Sequence, residues 1–538
     1  MSQQTPDEPP SGNIKTCGLL RVPPEILDRI TWHLTTPEYC NLRLTCKSVE
    51  QALYFKFTAE FFTRRQFMVS EFSLKALRDI SKSRMAGCLR HVHIGLDQLT
   101  PASSVGGMGP ADPIHMLQLR LIEQETLWTL GLVPKYLAEA FAHLPRLETV
   151  AVRDFNSNKR SRDGPFSHWL SYGTQTLVNE TQMRPRTLIV HNWDNSGQSE
   201  YATRLFKAII HALAMAQASP TAIEVMERQG NLLYDAAFYI HPEFEAAVAP
   251  VLGRVKRLHL CLDTVSSTLS ASHHNSQPFH HVHLAKFLRY CEDLEELRIN
   301  GKHNYFSRGG RSTLHHLFDW LANTTQTEAL PSSSAAGDAS APITCDSALL
   351  GSGSVPPHAR LARLKNISLG MTTFAVDELA RLVARFADTL ESLELWRVLL
   401  LSDDRANDDT LMETRFILYA RLLRKLLDMP NLNLRHIKLG NLHQTLYPAG
   451  KDVLMQEVSF KPAASTRDVD LIGGLERTTN ALAYTGSDWR HFVSHEMIPR
   501  LYTPPLQIHA ETDMDMDVEE DEDDDEDGSE DGDGDDDE

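Results

Sequence analysis

Apolar residues near the start of the chain recur at helical spacing. They follow the pair Pro23-Pro24, which suits a helix start because the N–H that proline lacks would have no partner there. The stripe consists of Ile26, Leu27, Ile30 and Leu34. This spacing predicts a first short helix with one apolar face.

Two more helices are expected directly afterwards. Thr35, Thr36 and Pro37 interrupt the first helix, and we expect Thr36 to cap the second. The second helix carries Tyr39, Leu42 and Cys46, and the third runs from about Ser48 through Val49, Ala52 and Leu53. An aromatic-rich helix should follow, with Phe55, Phe57, Phe61, Phe62 and Phe67. So short a segment cannot hide all of this apolar surface by itself, so part of it should meet another surface.

The rest of the chain repeats one pattern, an amphipathic helix followed by L-x-x-L-x-L or a close variant. The four helices are YLAEAFAHL, residues 285–290, VDELARLVARFADT and YARLLRKLLDM, and their strands are 145–152, 294–300, 390–395 and 434–442. Similar strands are expected at 89–94, 255–262 and 364–369. Alternation places Leu or Ile on one strand face, which the helix covers, and such units bury their faces only by stacking.

This recurrence resembles a leucine-rich-repeat solenoid of irregular period within residues 85–445. Between the anchors Leu297 and Ile367 lie 70 residues, whereas Ile367 and Leu393 are only 26 apart. A non-repetitive α/β domain is the alternative. The segment 468–502 should cap the end of the repeats with Ala481, Leu482, Trp489, Phe492, Ile498 and Leu501.

Residues 20–53 closely resemble an F-box. The family pattern opens with L-P-x-E-[IL], continues with I-x-x-x-L and closes with L-R-x-[VT]-C-[KR]. The corresponding residues are 22–26, 30–34 and 42–47. The chain departs from the family at Val49, where many members carry Trp or Phe, and at Tyr39-Cys40, where aliphatic pairs are commoner. An ordinary helical hairpin is the alternative interpretation.

The F-box resemblance implies a substrate receptor of an SCF-type cullin–RING ubiquitin ligase. Its helices would dock on the Skp-type adaptor through apolar anchors. These anchors would be Leu20, Pro23, Pro24, Ile26, Ile30, Leu34, Leu42 and Leu44. The repeat region would hold a protein substrate, which the sequence does not name. Such a receptor is not an enzyme and needs no cofactor, because the cullin arm holds the ubiquitin-charged enzyme and the receptor supplies proximity and orientation.

The negative charge is concentrated at the carboxyl end. The chain of 538 residues has a formal net charge of −19, yet 20 acidic and no basic residues lie at 511–538. The remainder holds 52 acidic and 53 basic residues. Such a tail either keeps the chain soluble or attracts basic partners. The second possibility defines an alternative function, an F-box scaffold outside ubiquitination or a histone-chaperone-like binder.

These observations predict the following organisation. Residues 1–17 are disordered, 18–68 hold the F-box and its connecting helix, 69–510 form the irregular repeat domain, and 511–538 are a disordered acidic tail. Loops are expected at 100–113 and 264–280, and a disordered insertion at 331–358.

Other chemistry has weak support. Seven scattered cysteines without a C-x-x-C pair, and a beginning without an apolar signal segment, favour reduced thiols in the cytoplasm or nucleus. No segment is apolar and long enough for a membrane, and no basic, aromatic-rich stripe favours nucleic acid. The histidines at 273, 274, 280, 281 and 283 favour a solvated loop over a zinc site. Lys159-Arg160-Ser161-Arg162 favours an exposed loop over a nuclear import signal. No nucleophile elbow, P-loop or H-E-x-x-H motif supports a hidden enzyme.

Overall fold

A large sheet organises the protein in the computed structural model, which describes residues 18–99, 111–156, 161–163, 170–182, 196–228, 233–262, 281–301, 314–323, 357–402, 417–446, 454–462 and 478–504. The strands are β1 (Arg64–Met68), β2 (His91–Gly95), β3 (Thr149–Arg153), β4 (Ala222–Met226), β5 (Arg257–Cys261), β6 (Glu296–Asn300), β7 (Asn366–Gly370), β8 (Thr373–Ala375), β9 (Ser392–Trp396), β10 (Leu399–Leu401), β11 (His436–Gly440), β12 (Leu442–Leu446), β13 (Leu454–Phe460), β14 (Ala481–Thr485) and β15 (Leu501–Tyr502).

Helices lie between most of these strands. They are α1 (Pro24–Trp32), α2 (Thr36–Leu44), α3 (Lys47–Ala52), α4 (Tyr54–Phe62), α5 (Glu71–Ser81), α6 (Ala111–Thr129), α7 (Leu132–Phe141), α8 (Thr174–Thr181), α9 (Ser196–Ala216), α10 (Pro242–Leu252), α11 (Val282–Tyr290), α12 (His315–Ala322), α13 (Val376–Arg385), α14 (Leu418–Leu427), α15 (Trp489–Phe492) and α16 (Ile498–Arg500). The chain is therefore a mixed α/β protein, as its sequence predicts.

The sheet adds its strands in chain order. Ten strands follow the order β1-β2-β3-β4-β5-β6-β7-β9-β11-β14, and every neighbouring pair is parallel except β11 and β14. The intervening helices return the chain to the starting edge, because a parallel pair needs a crossover. The described residues up to Thr503 belong to one compact unit.

Alternation along each strand builds the main core. In the middle of the sheet, the second and fourth residues of each strand are buried against the helices, as Leu258 and Leu260 are in β5. The helices meet them with leucines such as Leu379 of α13 and Leu422 of α14. Each fully buried Leu stabilises the fold by about 1.5–3 kcal/mol. The first, third and fifth residues face the other way, and we call that side of the sheet the strand face.

A charged ladder crosses the edge where the parallel strands begin. One carbonyl usually accepts two N–H groups of the next unit: Lys256 O, for example, accepts from Glu295 N at 2.8 Å and Glu296 N at 2.9 Å. The residues at these junctions alternate in sign around the neutral Thr221, in the order Arg90, Glu148, Thr221, Lys256, Glu295, Lys365, Glu391 and Arg435. Lys256 Nζ lies 3.0 Å from Glu295 Oε1, and Lys365 Nζ lies 3.8 Å from Glu295 Oε2.

A corner with left-handed backbone recurs in three successive units. Met371, Arg397 and Asn441 each follow the last residue of a strand and have φ of 51°, 52° and 48°. After each corner the chain enters a short strand of a second sheet, with the order β15-β13-β12-β10-β8. Residues other than glycine rarely adopt this left-handed conformation. Its repetition at the same position of three units shows that the packing of these units requires the bend.

Arginines bind the carbonyl groups at the carboxyl ends of helices. Arg490 Nη2 donates to Met429 O at 2.5 Å and to Leu432 O at 2.9 Å, just beyond α14. Arg385 of α13 donates likewise to the backbone oxygens of Leu321 and Ala359, around the end of α12. A guanidinium satisfies carbonyls that have no partner within the helix and lies at the negative end of its dipole.

Residues 18–63 form an N-terminal helical unit with a small core of its own. Its buried side chains are Leu27, Tyr39, Val49, Leu53, Phe57 and Phe61. Phe57 and Phe61 stack with ring centroids 4.7 Å apart, and Tyr39 contacts both rings.

Several local predictions are wrong, and others concern residues outside the described ranges. Thr35, not Thr36, is the N-cap residue of α2. Its N–H and its hydroxyl both donate to Glu38 Oε2. Phe67 lies in β1, where its ring is buried, and not in the aromatic helix. Residues 111–113 begin α6 rather than extend a loop. His358, the last residue of the expected disordered insertion, is ordered instead, and its Nδ1 lies 2.8 Å from Trp320 O. The expected segments 1–17, 100–110, 264–280, 331–356 and 511–538 lie outside the described residues.

Candidate functional site

The N-terminal helical unit carries exposed apolar side chains on α1 and α2. Ile26 and Ile30 are 45% and 39% exposed, and Leu44 is 80% exposed. Ile26 and Ile30 are four residues apart and therefore lie on the same flank of α1. Their neighbour Leu27 is buried in the unit's core. The helix thus uses one face for its own core and leaves an apolar flank facing solvent.

The eight expected anchors divide into three groups. Ile26, Ile30, Leu44 and Pro23 are exposed. Leu34 and Leu42 are partly buried and pack against the core of the helical unit, so they support the surface more than they form it. For the other two, the structure gives only the backbone position: Leu20 lies in the 3₁₀ turn Gly18–Arg21, and Pro24 is the first residue of α1.

Two exposed aromatic residues of the unit were missed as candidates. Trp32 is 74% exposed and Phe55 is 80% exposed. At about 100° per residue, Trp32 falls on the flank of α1 away from Ile30. The sequence pattern treats both as ordinary helix positions, and the signal that could have identified them is their failure to fit the buried stripe.

The 3₁₀ turn Ser161–Asp163, which follows β3, clamps the helical unit. Arg162 donates from Nε and Nη2 to the two carboxylate oxygens of Glu60, at 2.7 and 2.8 Å. Its Nη1 also binds Thr31 O at 2.6 Å and Leu34 O at 3.0 Å, at the end of α1. The guanidinium lies 4.9 Å from the centroid of the Tyr39 ring.

Asp163 completes this clamp at the start of α2. Its Oδ1 accepts from Thr36 N at 2.9 Å and its Oδ2 from the Thr36 hydroxyl at 2.6 Å. The carboxylate thus satisfies an N–H at the positive end of the helix dipole. The sequence favours an exposed loop for residues 159–162, but the Arg162 side chain is only 9% exposed. Lys159 and Arg160 lie outside the described residues.

The second half of the strand face is open and carries Trp396. This side chain, 37% exposed, is the last residue of β9, and Lys438 Nζ lies 5.3 Å from its ring centroid. A Cβ atom at Gly440 would clash with the Trp396 ring, so glycine at this position allows the ring to lie across β11. Arg298, on β6, is also exposed. An indole beside a cation is typical of residues that dominate protein interfaces.

The first half of the strand face is closed. His93, Ala151 and Glu224 occupy equivalent positions on β2, β3 and β4 and are buried. Burial holds the pKa of His93 well below its ordinary value, and the positive charges of Arg153 and Arg64 act in the same direction. His93 is therefore neutral at physiological pH.

This histidine predicts acid sensitivity. Because the folded-state pKa of His93 is lowered, its stabilising contribution is complete above the unfolded value of about 6.5 and is lost as the pH falls below it. The His93→Gln variant should therefore lose stability less steeply between about pH 7 and 5, by up to about 1.4 kcal/mol per pH unit. Urea unfolding at several pH values measures this, with exposed His115→Gln as the control. Parallel curves for wild type and His93→Gln would contradict it.

The described residues offer little redox or metal chemistry. Cys40, Cys46, Cys88, Cys261 and Cys291 are all free thiols. Cys261 and Cys291 are buried in the core, and burial raises the pKa of each thiol to about 12, so neither is a ready nucleophile. His281 is buried rather than solvated. No three His, Cys, Asp or Glu side chains in the described ranges are grouped as metal ligands.

Comparison with known proteins assigns no family. A scan against protein-family models finds no match, and a search of curated proteins finds no significant match. Within the described part of the chain, none of the helices has the length and apolar character needed to cross a bilayer. The candidate functional surfaces of the described chain are the helical unit with its clamp and the open part of the strand face.

Proposed function

We propose that this chain is the substrate-recognition subunit of an SCF-type cullin–RING ubiquitin ligase. The observation that carries the proposal is the exposed apolar flank of Ile26 and Ile30 on a helical unit that already has its own core. A single short helical unit gains nothing from leaving such side chains in water. A partner that covers them gains the free energy of their burial, about 25 cal/mol per Å².

The same unit would act as an F-box. Its three short helices α1, α2 and α3 coincide with the segment that resembles this family. The exposed anchors would enter an apolar groove on the Skp-type adaptor. The adaptor would connect the chain to a cullin. The chain would contribute no catalytic residue, because its task is to raise the effective concentration of substrate near the ubiquitin-charged enzyme.

The chain-ordered sheet would act as an irregular leucine-rich-repeat-like solenoid. The pairing in chain order of β1 to β7, β9 and β11, and the recurring corners at Met371, Arg397 and Asn441, support stacked units. The open strand face around Trp396 would bind the protein substrate. Because His93 and Ala151 are covered, the substrate would bind to the later units, from β6 onward.

Reconstitution with the purified adaptor tests this function. The full chain and a Skp-type adaptor should form a 1:1 complex with a dissociation constant of about 1 µM or tighter in calorimetry. Adding cullin, RING protein and charged enzyme should then give ubiquitin transfer to a captured substrate. Absence of any complex at concentrations of tens of micromolar would contradict the proposal.

The alternative function rests on the acidic tail. With 20 acidic residues and no basic ones, residues 511–538 could attract histones or other basic proteins without any ligase. Deleting 511–538 separates the two functions. Loss of all partner binding would favour the basic-protein binder, whereas retained adaptor and substrate binding would favour the receptor.

A further inference from the structure

A cavity of about 280 Å³ opens among the helices, away from the strand face. Most of its wall is aromatic or aliphatic, and the principal side chains are Ile210, Phe238, Ile240, Phe244, Val248 and Phe287. Phe238 and Phe287 pack edge to face, with centroids 5.3 Å apart. The volume is close to the lower end of the range for small-molecule sites.

Two nitrogen-bearing side chains of α9 also line this cavity. Lys207 and His211 are four residues apart and so share one face of the helix. Burial lowers the pKa of each. His211 contacts the Phe244 ring, with centroids 4.3 Å apart, whereas Lys207 has neither an ion pair nor a hydrogen bond among the described residues. An ammonium group thus borders an apolar cavity, and no described carboxylate forms an ion pair with it.

Charge around the cavity favours an anion. The pKa of His283 is lowered by burial first and then by the positive charges of Lys286 and Lys207. Burial raises the pKa of Asp235 to about 6, and its carboxyl group accepts the N–H groups of His283 and Leu284. The Asp235 carboxyl group therefore caps the amino end of α11 and does not form an ion pair with Lys207.

Two further acids of the described chain lie on α10, the helix that contributes Phe244. Glu243 is exposed, and Glu245 accepts a hydrogen bond from the Tyr290 hydroxyl. The amino end of α10 begins beside the cavity at Pro242, and its dipole also favours negative charge there. The combination of an apolar enclosure and an unbalanced cation defines what the cavity would hold.

We propose that this cavity binds a monocarboxylic acid with an apolar body, its carboxylate on the Lys207 ammonium and its apolar part between Phe238, Phe244 and Phe287. A neutral apolar molecule would fill the same volume but leave Lys207 without a counter-ion. The proposal is independent of adaptor binding, because α1 and α2 contribute nothing to the cavity.

Calorimetric titration of the full chain with decanoate and with decanol tests the site. Decanoate should bind at least tenfold more tightly than decanol, since a charge-assisted hydrogen bond adds to the apolar contact. Lys207→Gln should weaken decanoate binding about tenfold and leave decanol unchanged. Ile240→Trp, which fills the cavity from its partly exposed rim, should abolish both.

Three results would overturn the proposal. They are absence of decanoate binding to the folded wild-type chain, equal affinity for decanol and decanoate, and full decanoate affinity in Lys207→Gln. Circular dichroism of each variant separates loss of the ligand site from loss of fold, and Lys135→Gln, an exposed lysine of α7, is the matched charge control.

Discussion

The double variant Ile26→Asp, Leu44→Asp is expected to lose adaptor binding by more than a hundredfold while keeping its fold. Both side chains are exposed in the free chain, so their replacement should change the free energy of unfolding by no more than about 0.5 kcal/mol each. In an apolar groove, each new carboxylate would be desolvated without a partner, and losing one central anchor costs about 2 kcal/mol or more. Calorimetry against the adaptor measures the loss.

The control variant Ile122→Asp, Leu130→Asp introduces the same charges outside the helical unit. These residues are 63% and 67% exposed, one on α6 and one directly after it. It should bind the adaptor like the wild type. If a folded Ile26→Asp, Leu44→Asp chain still binds the adaptor with wild-type affinity, the apolar flank of α1 is not the docking surface.

Arg162→Ala is expected to destabilise the protein by more than an ordinary surface substitution does. It leaves the Glu60 carboxylate without its bidentate partner and removes the donor from two carbonyls at the end of α1. Because Glu60 is 26% exposed and partly solvated, we expect a loss of about 2–3 kcal/mol. Hydrogen exchange of α1 and α2 should accelerate accordingly.

Two comparisons distinguish the clamp from a general effect of removing an arginine. Arg146→Ala, at an exposed position before β3, should change stability by no more than about 0.5 kcal/mol. The double variant Glu60→Ala, Arg162→Ala should lose less than the sum of the single losses, since the pair is removed together. Additive losses, or unchanged exchange in α1, would show that the clamp does not hold the helical unit.

The sequence predicts the strands in which apolar residues alternate clearly and misses several in which they do not. β5, β6, β7 and β9 were expected because Leu or Ile at every second position needs a covering helix. β1, with the sequence RRQFM, was missed because its polar residues hide a strand whose last two side chains are buried. β8 and β10 have three residues each and follow corners whose left-handed residues, Met371 and Arg397, are not glycines.

The candidate site, too, was predictable from the sequence only in part. The exposure of Ile26 and Ile30 follows from an apolar stripe too wide for one small core, which local spacing reveals. The clamp could not be predicted, because Arg162 and Glu60 are 102 residues apart and Asp163 and Thr36 are 127 apart. Local pattern contains no information on which loop returns to which helix.

The alternating ladder constrains how this chain could lengthen or shorten. Removing the single unit that contains Glu295 would place Lys256 against Lys365, two like charges across one junction. Removing two consecutive units, with Glu295 and Lys365, would instead bring Lys256 to Glu391 and preserve opposite signs. Each exposed pair contributes only about 0–1 kcal/mol, but like charges at a junction are unfavourable by similar amounts. Insertions and deletions that respect this parity should therefore involve pairs of units.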